Sequence, residues 1–137
     1  MRLFDTHCHL DDERFNEDRE QLIQALPEQG LVYYVTVGSD LDSSERAIAL
    51  AGRYSHVYAA AGVHPHEASK APEDYLDRLR SMLGKRKAVA LGEIGLDYYY
   101  DFSPRDLQKK ILSQQLDLAY ELNLPVILHV RDAHGDM

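Results

Sequence analysis

Short apolar runs alternate with longer amphipathic segments along the whole chain, and this alternation constrains the fold more than any other feature. Nearly every residue within the runs is apolar, as in parallel strands that are buried on both faces. The runs predict five strands, at residues 2–5, 31–37, 57–63, 88–91 and 126–130. The segments between them predict four helices, at residues 17–29, 41–54, 72–84 and 104–122. Strands that alternate with helices indicate an α/β protein built from βα units around a parallel sheet.

The fourth predicted helix has the clearest end signals. Ser103 is suited to cap its start and Pro104 to occupy its first turn, whereas Asn123 followed by Pro125 predicts its end. Four apolar residues recur on one face, which we expect to pack against the sheet: Leu107, Ile111, Leu118 and Leu122.

Length limits how much of a barrel these units can form. The chain has 137 residues and predicts one domain, residues 1–137. A closed (β/α)₈ barrel of the TIM type needs about 250 residues. Five strands and four helices therefore correspond to an incomplete barrel.

Composition restricts the environment and the partners of the chain. The 23 acidic residues outnumber the 15 basic ones, for a net charge of -8, which is opposite to the usual balance of a protein that grips DNA through a basic surface. Bound cations or a local patch must supply the attraction if nucleic acid is the substrate. No apolar run is long enough to span a bilayer, so we expect no membrane association. The single cysteine, Cys8, fits the reducing cytoplasm, where we expect the protein to reside.

Two histidines follow the first predicted strand. Residues two apart in an extended segment point to the same side, so His7 and His9 can both reach one cation. Cys8 lies between them and should point into the sheet, so it is not a candidate ligand. The alternative is a pair of partly exposed loop histidines without a metal.

The third and fourth predicted strands are also followed by polar side chains. Gly62 permits a sharp exit from the third strand, after which His64 is placed to donate to a phosphate or to lie behind the metal ligands; the alternative is a structural turn. Glu93 lies between glycines at the end of a buried strand, where a carboxylate needs a partner. It is the natural bridge between two cations, and its alternative is a salt bridge to a loop arginine. Asp97 is placed to orient a ligand histidine.

The fifth predicted strand ends on His129, and Arg131 follows two residues later. We expect an imidazole at the rim of the sheet and a guanidinium able to clamp a phosphate oxygen. The alternative is a core histidine with a surface arginine. The tyrosine run at residues 98–100 is suited either to stack on bases or to pack a loop.

These four groups of residues share one location, the carboxyl ends of successive strands. α/β proteins build their sites there, and unrelated surface residues would not segregate to one end of a sheet. The combination predicts a metal site.

The motifs resemble those of the TatD family of metal-dependent deoxyribonucleases, which are amidohydrolase-like (β/α)₈ barrels. The resemblance covers essentially the whole chain, in the order and spacing of four motifs: residues 4–11, 62–66, 92–98 and 129–131. It implies that His7 and His9 bind one metal, that Glu93 bridges both metals, and that His129 binds the second. It also implies that His64 lies near the substrate phosphate.

The resemblance further implies cleavage of phosphodiester bonds in DNA by a metal-activated water, with two divalent cations ~3.5–4 Å apart. Mixed histidine and carboxylate ligation suits Zn²⁺, Mn²⁺ or Co²⁺, and Mg²⁺ with more water ligands. The expected catalytic residues are Glu93, His64 and Arg131.

The family is longer than this chain, so we expect residues 1–137 to correspond to its N-terminal half, with a further histidine and aspartate ligand beyond Met137. Two other hypotheses follow. One is a catalytically impaired half-barrel or interaction module, which could self-associate through its exposed strand edges. The other is an amidohydrolase that acts on C–N bonds, because related barrels share these ligands.

Overall fold

The computed structural model describes residues 1–137 and contains one parallel sheet whose five strands lie in chain order. The strands are β1 (Leu3–Cys8), β2 (Leu31–Val37), β3 (Val57–Ala61), β4 (Ala88–Asp97) and β5 (Val126–Arg131). The helices are α1 (Arg19–Ala25), α2 (Leu41–Arg53), α3 (Tyr75–Leu83) and α4 (Arg105–Leu122). Two 3₁₀ helices, Glu13–Phe15 and Pro65–Lys70, follow β1 and β3. The predicted half-barrel of βα units is confirmed.

Element lengths differ from the predictions mainly at β4. The sequence predicts an end at residue 91, whereas β4 continues to Asp97 because residues 94–97 pair with β5. Glu93 therefore lies inside a strand. The first predicted helix, at residues 17–29, is shorter in the structure, where α1 occupies only Arg19–Ala25.

Ser103 does not cap α4, so that prediction is wrong. Pro104 is the residue at the N-cap position. The fully buried Ser103 hydroxyl instead accepts from the backbone N–H of Ser69 at 3.0 Å and donates to the carbonyl of His66 at 3.2 Å. It therefore joins the start of α4 to the 3₁₀ helix beside the site. α4 ends at Asn123, as predicted, and Asn123 adopts the left-handed conformation.

The convex face of the sheet is covered by helices, and the core lies there. One cluster of 17 buried residues and one of 8 fill the space between the sheet and the helices. Ile111 and Leu118 of α4 are buried in the larger cluster, and Leu107 and Leu122 pack against it. The predicted apolar face of this helix is confirmed.

The concave face has only a small cluster of four buried residues, Val35, Val37, Ala60 and Ala90. Beside it Phe4 is 55% exposed and Tyr33 is 42% exposed. β1 and β5 are the edge strands, each hydrogen-bonded to one neighbour. Self-association through these edges stays a prediction. No helix has the combined length and apolarity that crossing a membrane requires.

Candidate metal centre

A polar pocket of about 640 Å³ opens at the carboxyl ends of the strands. All five strands are parallel, so their carboxyl ends meet at one edge of the sheet, as the sequence predicts. None of the 13 lining residues is hydrophobic: His9, Asp11, Asp12, Glu13, Ser39, Asp40, Ser43, Arg46, His64, His66, Glu67, Glu93 and His129. Six of them are carboxylates and only Arg46 carries a guanidinium.

The first of two histidine-rich groups, the β1–β4 cluster, consists of His7, His9 and Glu93. One potential ligand atom from each of the three residues lies within 4.8 Å of the others. His7 Nε2 is 3.2 Å from Glu93 Oε2, and the His7 and His9 rings are 5.1 Å apart. The structure therefore brings together the three side chains that the sequence predicts around one cation.

His9 is held in the form that a metal ligand requires. Its Nδ1 lies 2.8 Å from the carbonyl oxygen of Val37 on β2. A carbonyl can only accept, so Nδ1 carries the proton and Nε2 of the neutral ring keeps a free lone pair. The pairing of β1 with β2 thus fixes both the orientation and the tautomer of His9.

Glu93 lies between two histidines on different strands. Oε2 faces His7, and Oε1 lies 3.2 Å from Nδ1 of His129. No arginine or lysine pairs with this carboxylate, so the alternative of a salt bridge to a loop arginine is wrong. Each oxygen is directed at a different imidazole, which is the arrangement that a bridging carboxylate needs.

The second group, the three-histidine cluster, consists of His64, His66 and His129. Their rings pack closely, with centroids 4.3 Å apart for His64 and His66 and 4.3 Å for His64 and His129. Asp97 Oδ2 accepts from Nε2 of His66 at 2.8 Å and from Nε2 of His129 at 2.9 Å. The carboxylate thereby orients His129 so that Nδ1 faces Glu93, which is the role predicted for Asp97.

Asp97 is completely buried and remains charged. Burial alone would raise its pKa, but the backbone N–H of Tyr100 and the imidazoles of His66 and His129 hold the pKa well below its usual range. The N–H of Tyr99 also donates to this carboxylate, at 3.1 Å. Asp97 therefore fixes two histidines and the following loop together.

His64 has the opposite tautomer from His9. Its Nδ1 accepts a hydrogen bond from the backbone N–H of His66 at 3.1 Å, so the proton of the neutral ring is on Nε2. Burial, with the neighbouring imidazoles of His129 and His66, lowers the pKa of His64 to about 3. His64 is therefore a neutral hydrogen-bond donor with no nitrogen free to bind a metal.

Three other residues lie outside the two clusters. Arg131 does not line the pocket, and its guanidinium lies 4.1 Å from the ring centre of Tyr99. Its predicted contact with a phosphate stays a prediction. The Cys8 thiol donates to the carbonyl of Val35 at 3.3 Å, and burial raises its pKa to about 12. His134 is exposed.

Two glycines allow the strands that carry the site to approach closely. A Cβ on Gly95, where φ is +150°, would lie 1.9 Å from the carbonyl oxygen of His129. A Cβ on Gly62 would lie 2.9 Å from the backbone of Gly92. Gly62 directly follows β3, and the absence of a Cβ there permits this close contact with Gly92 of β4.

Sequence reasoning missed Asp11 and assigned no role to His66. Asp11 is 6% exposed and lines the pocket, and its Oδ1 has no hydrogen-bond partner. Its Oδ2 lies 3.5 Å from Arg46, and burial raises its pKa. A buried carboxylate oxygen without a donor fits a pocket that is completed by a cation or by water. The histidine and carboxylate donors of the β1–β4 cluster also fit a divalent cation.

A half-barrel of parallel βα units with histidine and carboxylate ligands at its carboxyl edge has the architecture of metal-dependent hydrolases of the (β/α)₈ type. A family model described as TatD related DNase matches residues 4–137. The chain belongs to this family.

The relatives also show how much of such a protein the chain represents. It is 41% identical over 135 residues to an uncharacterized metal-dependent hydrolase, YabD, of Bacillus subtilis, covering 98% of this chain and 53% of that protein. It is 40% identical over 133 residues to the 3'-5' ssDNA/RNA exonuclease TatD of Cronobacter sakazakii, covering 97% and 51%. The crystal structure of YjjV, a TatD homolog from Escherichia coli K12, matches with a TM-score of 0.89 and 38% identity over 98% of this chain and 52% of that one. The chain thus spans about half the length of the relatives it matches.

Proposed function

We propose that this chain provides the metal-binding part of a hydrolytic site that cleaves phosphodiester bonds in DNA. His7 and His9 would hold one divalent cation, His129 would hold a second, and Glu93 would bridge them. This ligand chemistry suits Zn²⁺, Mn²⁺ or Co²⁺, and also Mg²⁺ with additional water.

The observation that carries the proposal is the position of Glu93. Its two oxygens face His7 and His129 separately, each at 3.2 Å, and the carboxylate has no cationic side chain as a partner. The family supports a requirement for metal, because a relative is described as a metal-dependent hydrolase.

The charge of the pocket supports a requirement for cations. Six carboxylates and one guanidinium line it, so the side chains alone would repel a polyanion. When bound, divalent cations offset this charge and lower the pKa of a water that can attack phosphorus. The neutral His64 ring, with its proton on Nε2, is suited to donate a hydrogen bond to a phosphate oxygen. Asp97 keeps His129 aimed at Glu93.

We extend the proposal to single-stranded nucleic acid. The relative from Cronobacter sakazakii is named as a 3'-5' ssDNA/RNA exonuclease. A single strand can bend its backbone into the polar pocket at the carboxyl edge of the sheet, whereas a duplex has its phosphates fixed on a rigid helix.

A second candidate is a metal-binding module with little or no turnover. Four side chains are shared between two proposed cations, so Glu93 and His129 give the second cation only two protein ligands. A catalytic zinc site usually has three. The second cation is therefore expected to bind weakly to this chain.

Metal binding and cleavage are tested together. Isothermal titration with Mn²⁺ would measure affinity, and a fluorescently labelled single-stranded oligonucleotide with Mn²⁺ or Mg²⁺ would measure hydrolysis. We expect the original chain to bind Mn²⁺ and to cleave the oligonucleotide. EDTA should abolish both activities, and Glu93→Gln should remove both. Glu13→Gln is the matched control, because Glu13 lines the same pocket outside both clusters.

Each alternative gives a different result. Metal binding without cleavage would support the non-catalytic module. Metal-dependent hydrolysis of amides but not of phosphodiesters would support the amidohydrolase. A chain that binds no divalent cation would contradict the proposal.

A further inference from the structure

Three aromatic side chains project into solvent directly after β4. Tyr99 is 59% exposed, Tyr100 is 46% exposed and Phe102 is 65% exposed. The rings of Tyr100 and Phe102 are stacked, 5.1 Å apart with an interplanar angle of 21°, and Tyr99 packs edge-on against Tyr100 at 4.8 Å. We call these three residues the aromatic shelf.

The shelf is not a packing element of the loop. Tyr98 is the tyrosine that packs inward, because it contacts the main core cluster and its ring lies under the guanidinium of Arg105 at 4.2 Å. The shelf residues belong to none of the core clusters. A contiguous exposed apolar patch on a polar surface is typical of a binding site.

The shelf carries its own positive charge. The guanidinium of Arg131 lies 4.1 Å from the ring centre of Tyr99 and 4.8 Å from that of Tyr100. No carboxylate forms an ion pair with Arg131, although most other arginines near the surface have one. Its charge is therefore available to an anionic ligand.

The shelf adjoins the candidate metal centre. The ring of His66 lies 4.9 Å from that of Phe102 and 5.4 Å from that of Tyr100. The backbone N–H groups of Tyr99 and Tyr100 donate to Asp97, which also holds His129. One buried carboxylate thus fixes the shelf at a set position relative to the site.

We propose that the aromatic shelf and Arg131 form a subsite that binds nucleobases of single-stranded DNA or RNA next to the scissile phosphate. Bases stack on aromatic rings whatever their sequence, and a guanidinium can contact both the bases and the intervening phosphate. This combination of flat apolar rings with an unpaired cation matches the alternating apolar and anionic groups of a single strand. The inference rests on the proposed function and adds how the substrate is held.

Binding can be measured without turnover. Fluorescence anisotropy of a labelled eight-nucleotide single strand, with EDTA and separately with Ca²⁺, would compare the chain with Tyr99→Ala and Phe102→Ala. We expect each substitution to weaken binding about tenfold, as removal of a base-stacking ring does. Tyr99→Phe should bind like the original chain because it keeps the ring. Tyr120→Ala is the matched control, since Tyr120 is 90% exposed on α4, outside the shelf.

The base and the backbone contributions are separated with a strand of the same length that has abasic sites at every position. We expect this strand to bind weakly to the original chain and equally weakly to the alanine variants. Equal binding of the base-containing and abasic strands, or unchanged binding by both alanine variants, would overturn the proposal. Mn²⁺ affinity reports on the metal centre and strand binding in EDTA reports on the shelf, so the two proposals can fail separately. Unchanged Mn²⁺ affinity in Glu93→Gln, with weaker strand binding by the alanine variants, would overturn only the proposed function. Loss of Mn²⁺ affinity in Glu93→Gln, with unchanged strand binding by the alanine variants, would overturn only the shelf. Circular dichroism would verify folding of the variants.

Discussion

The β1–β4 cluster and the three-histidine cluster lie side by side and share similar side chains, yet their hydrogen bonds prepare them for different tasks. In the β1–β4 cluster, the carbonyl of Val37 takes the proton of His9 Nδ1 and leaves Nε2 free. In the three-histidine cluster, the backbone N–H of His66 occupies Nδ1 of His64, so Nε2 keeps its proton.

This difference shows that the proximity of histidines does not by itself make a metal site. The group bonded to one ring nitrogen decides whether the other nitrogen is a lone pair or a donor. We infer that the β1–β4 cluster, with His129, holds cations, and that His64 faces the substrate. The following predictions test this distinction, from the largest expected effect to the smallest.

Glu93→Gln should have the largest effect on metal affinity. The substitution keeps the shape of the side chain but removes the charge that faces both His7 and His129. Loss of a hydrogen-bonding partner behind a ligand already costs about 10- to 100-fold in metal affinity, so removal of a bridging carboxylate should cost at least about 100-fold. Isothermal titration with Mn²⁺ measures it. An unchanged dissociation constant for Mn²⁺ would show that Glu93 is not a metal ligand.

Asp97→Asn should disturb the three-histidine cluster directly, since Asp97 is bonded to His66 and His129. Through His129 it should also disturb Glu93, whose Oε1 faces His129 Nδ1. We expect metal affinity to fall about 10- to 100-fold through misorientation of His129. The free energy of unfolding should fall by about 2–4 kcal/mol, because donors of a buried network lose their acceptor. Urea denaturation in EDTA measures the second effect. A free energy of unfolding equal to that of the original chain would show that Asp97 does not stabilise the fold.

The neutral state of His64 predicts a dependence of stability on pH. Its pKa is about 3 in the folded chain, against an ordinary value near 6.5. Between these values the unfolded chain takes up a proton that the folded chain does not, so stability is lost as pH falls through this range. At pH 5 the loss should be up to about 2 kcal/mol.

His64→Asn isolates this contribution, because the Asn side-chain oxygen can replace Nδ1 as acceptor but does not titrate. Urea denaturation in EDTA at pH 7 and at pH 5 should show a smaller decrease for the variant. Equal decreases in the free energy of unfolding for the two proteins would mean that His64 is protonated in the folded chain at pH 5.

The sequence was informative wherever a local pattern determines the structure. The apolar runs predict all five strands, and their parallel order alone places His7, His9, Glu93 and His129 at one edge of the sheet. The end of β4 was missed because its last residues are fixed by pairing with β5, which lies about 35 residues further along the chain.

The remaining features of the site depend on contacts between distant elements. The tautomer of His9 is set by Val37 on another strand, and Asp11 is buried beside Arg46 of α2. Ser103 carries a helix-capping signal but bonds to Ser69 instead. No spacing rule along the chain reports such contacts, so they required the three-dimensional structure.

The central claim is that the tautomer of each histidine determines whether it can bind a metal. Mn²⁺ titration of His9→Asn and His64→Asn tests this claim most directly. Asparagine imitates the Nδ1 side of each ring, so His9→Asn keeps the bond to Val37 and loses Nε2, while His64→Asn keeps the bond to His66. We predict that His9→Asn weakens Mn²⁺ binding at least about 100-fold, whereas His64→Asn changes it less than about threefold. Equal losses in the two variants, or a larger loss in His64→Asn, would contradict the account.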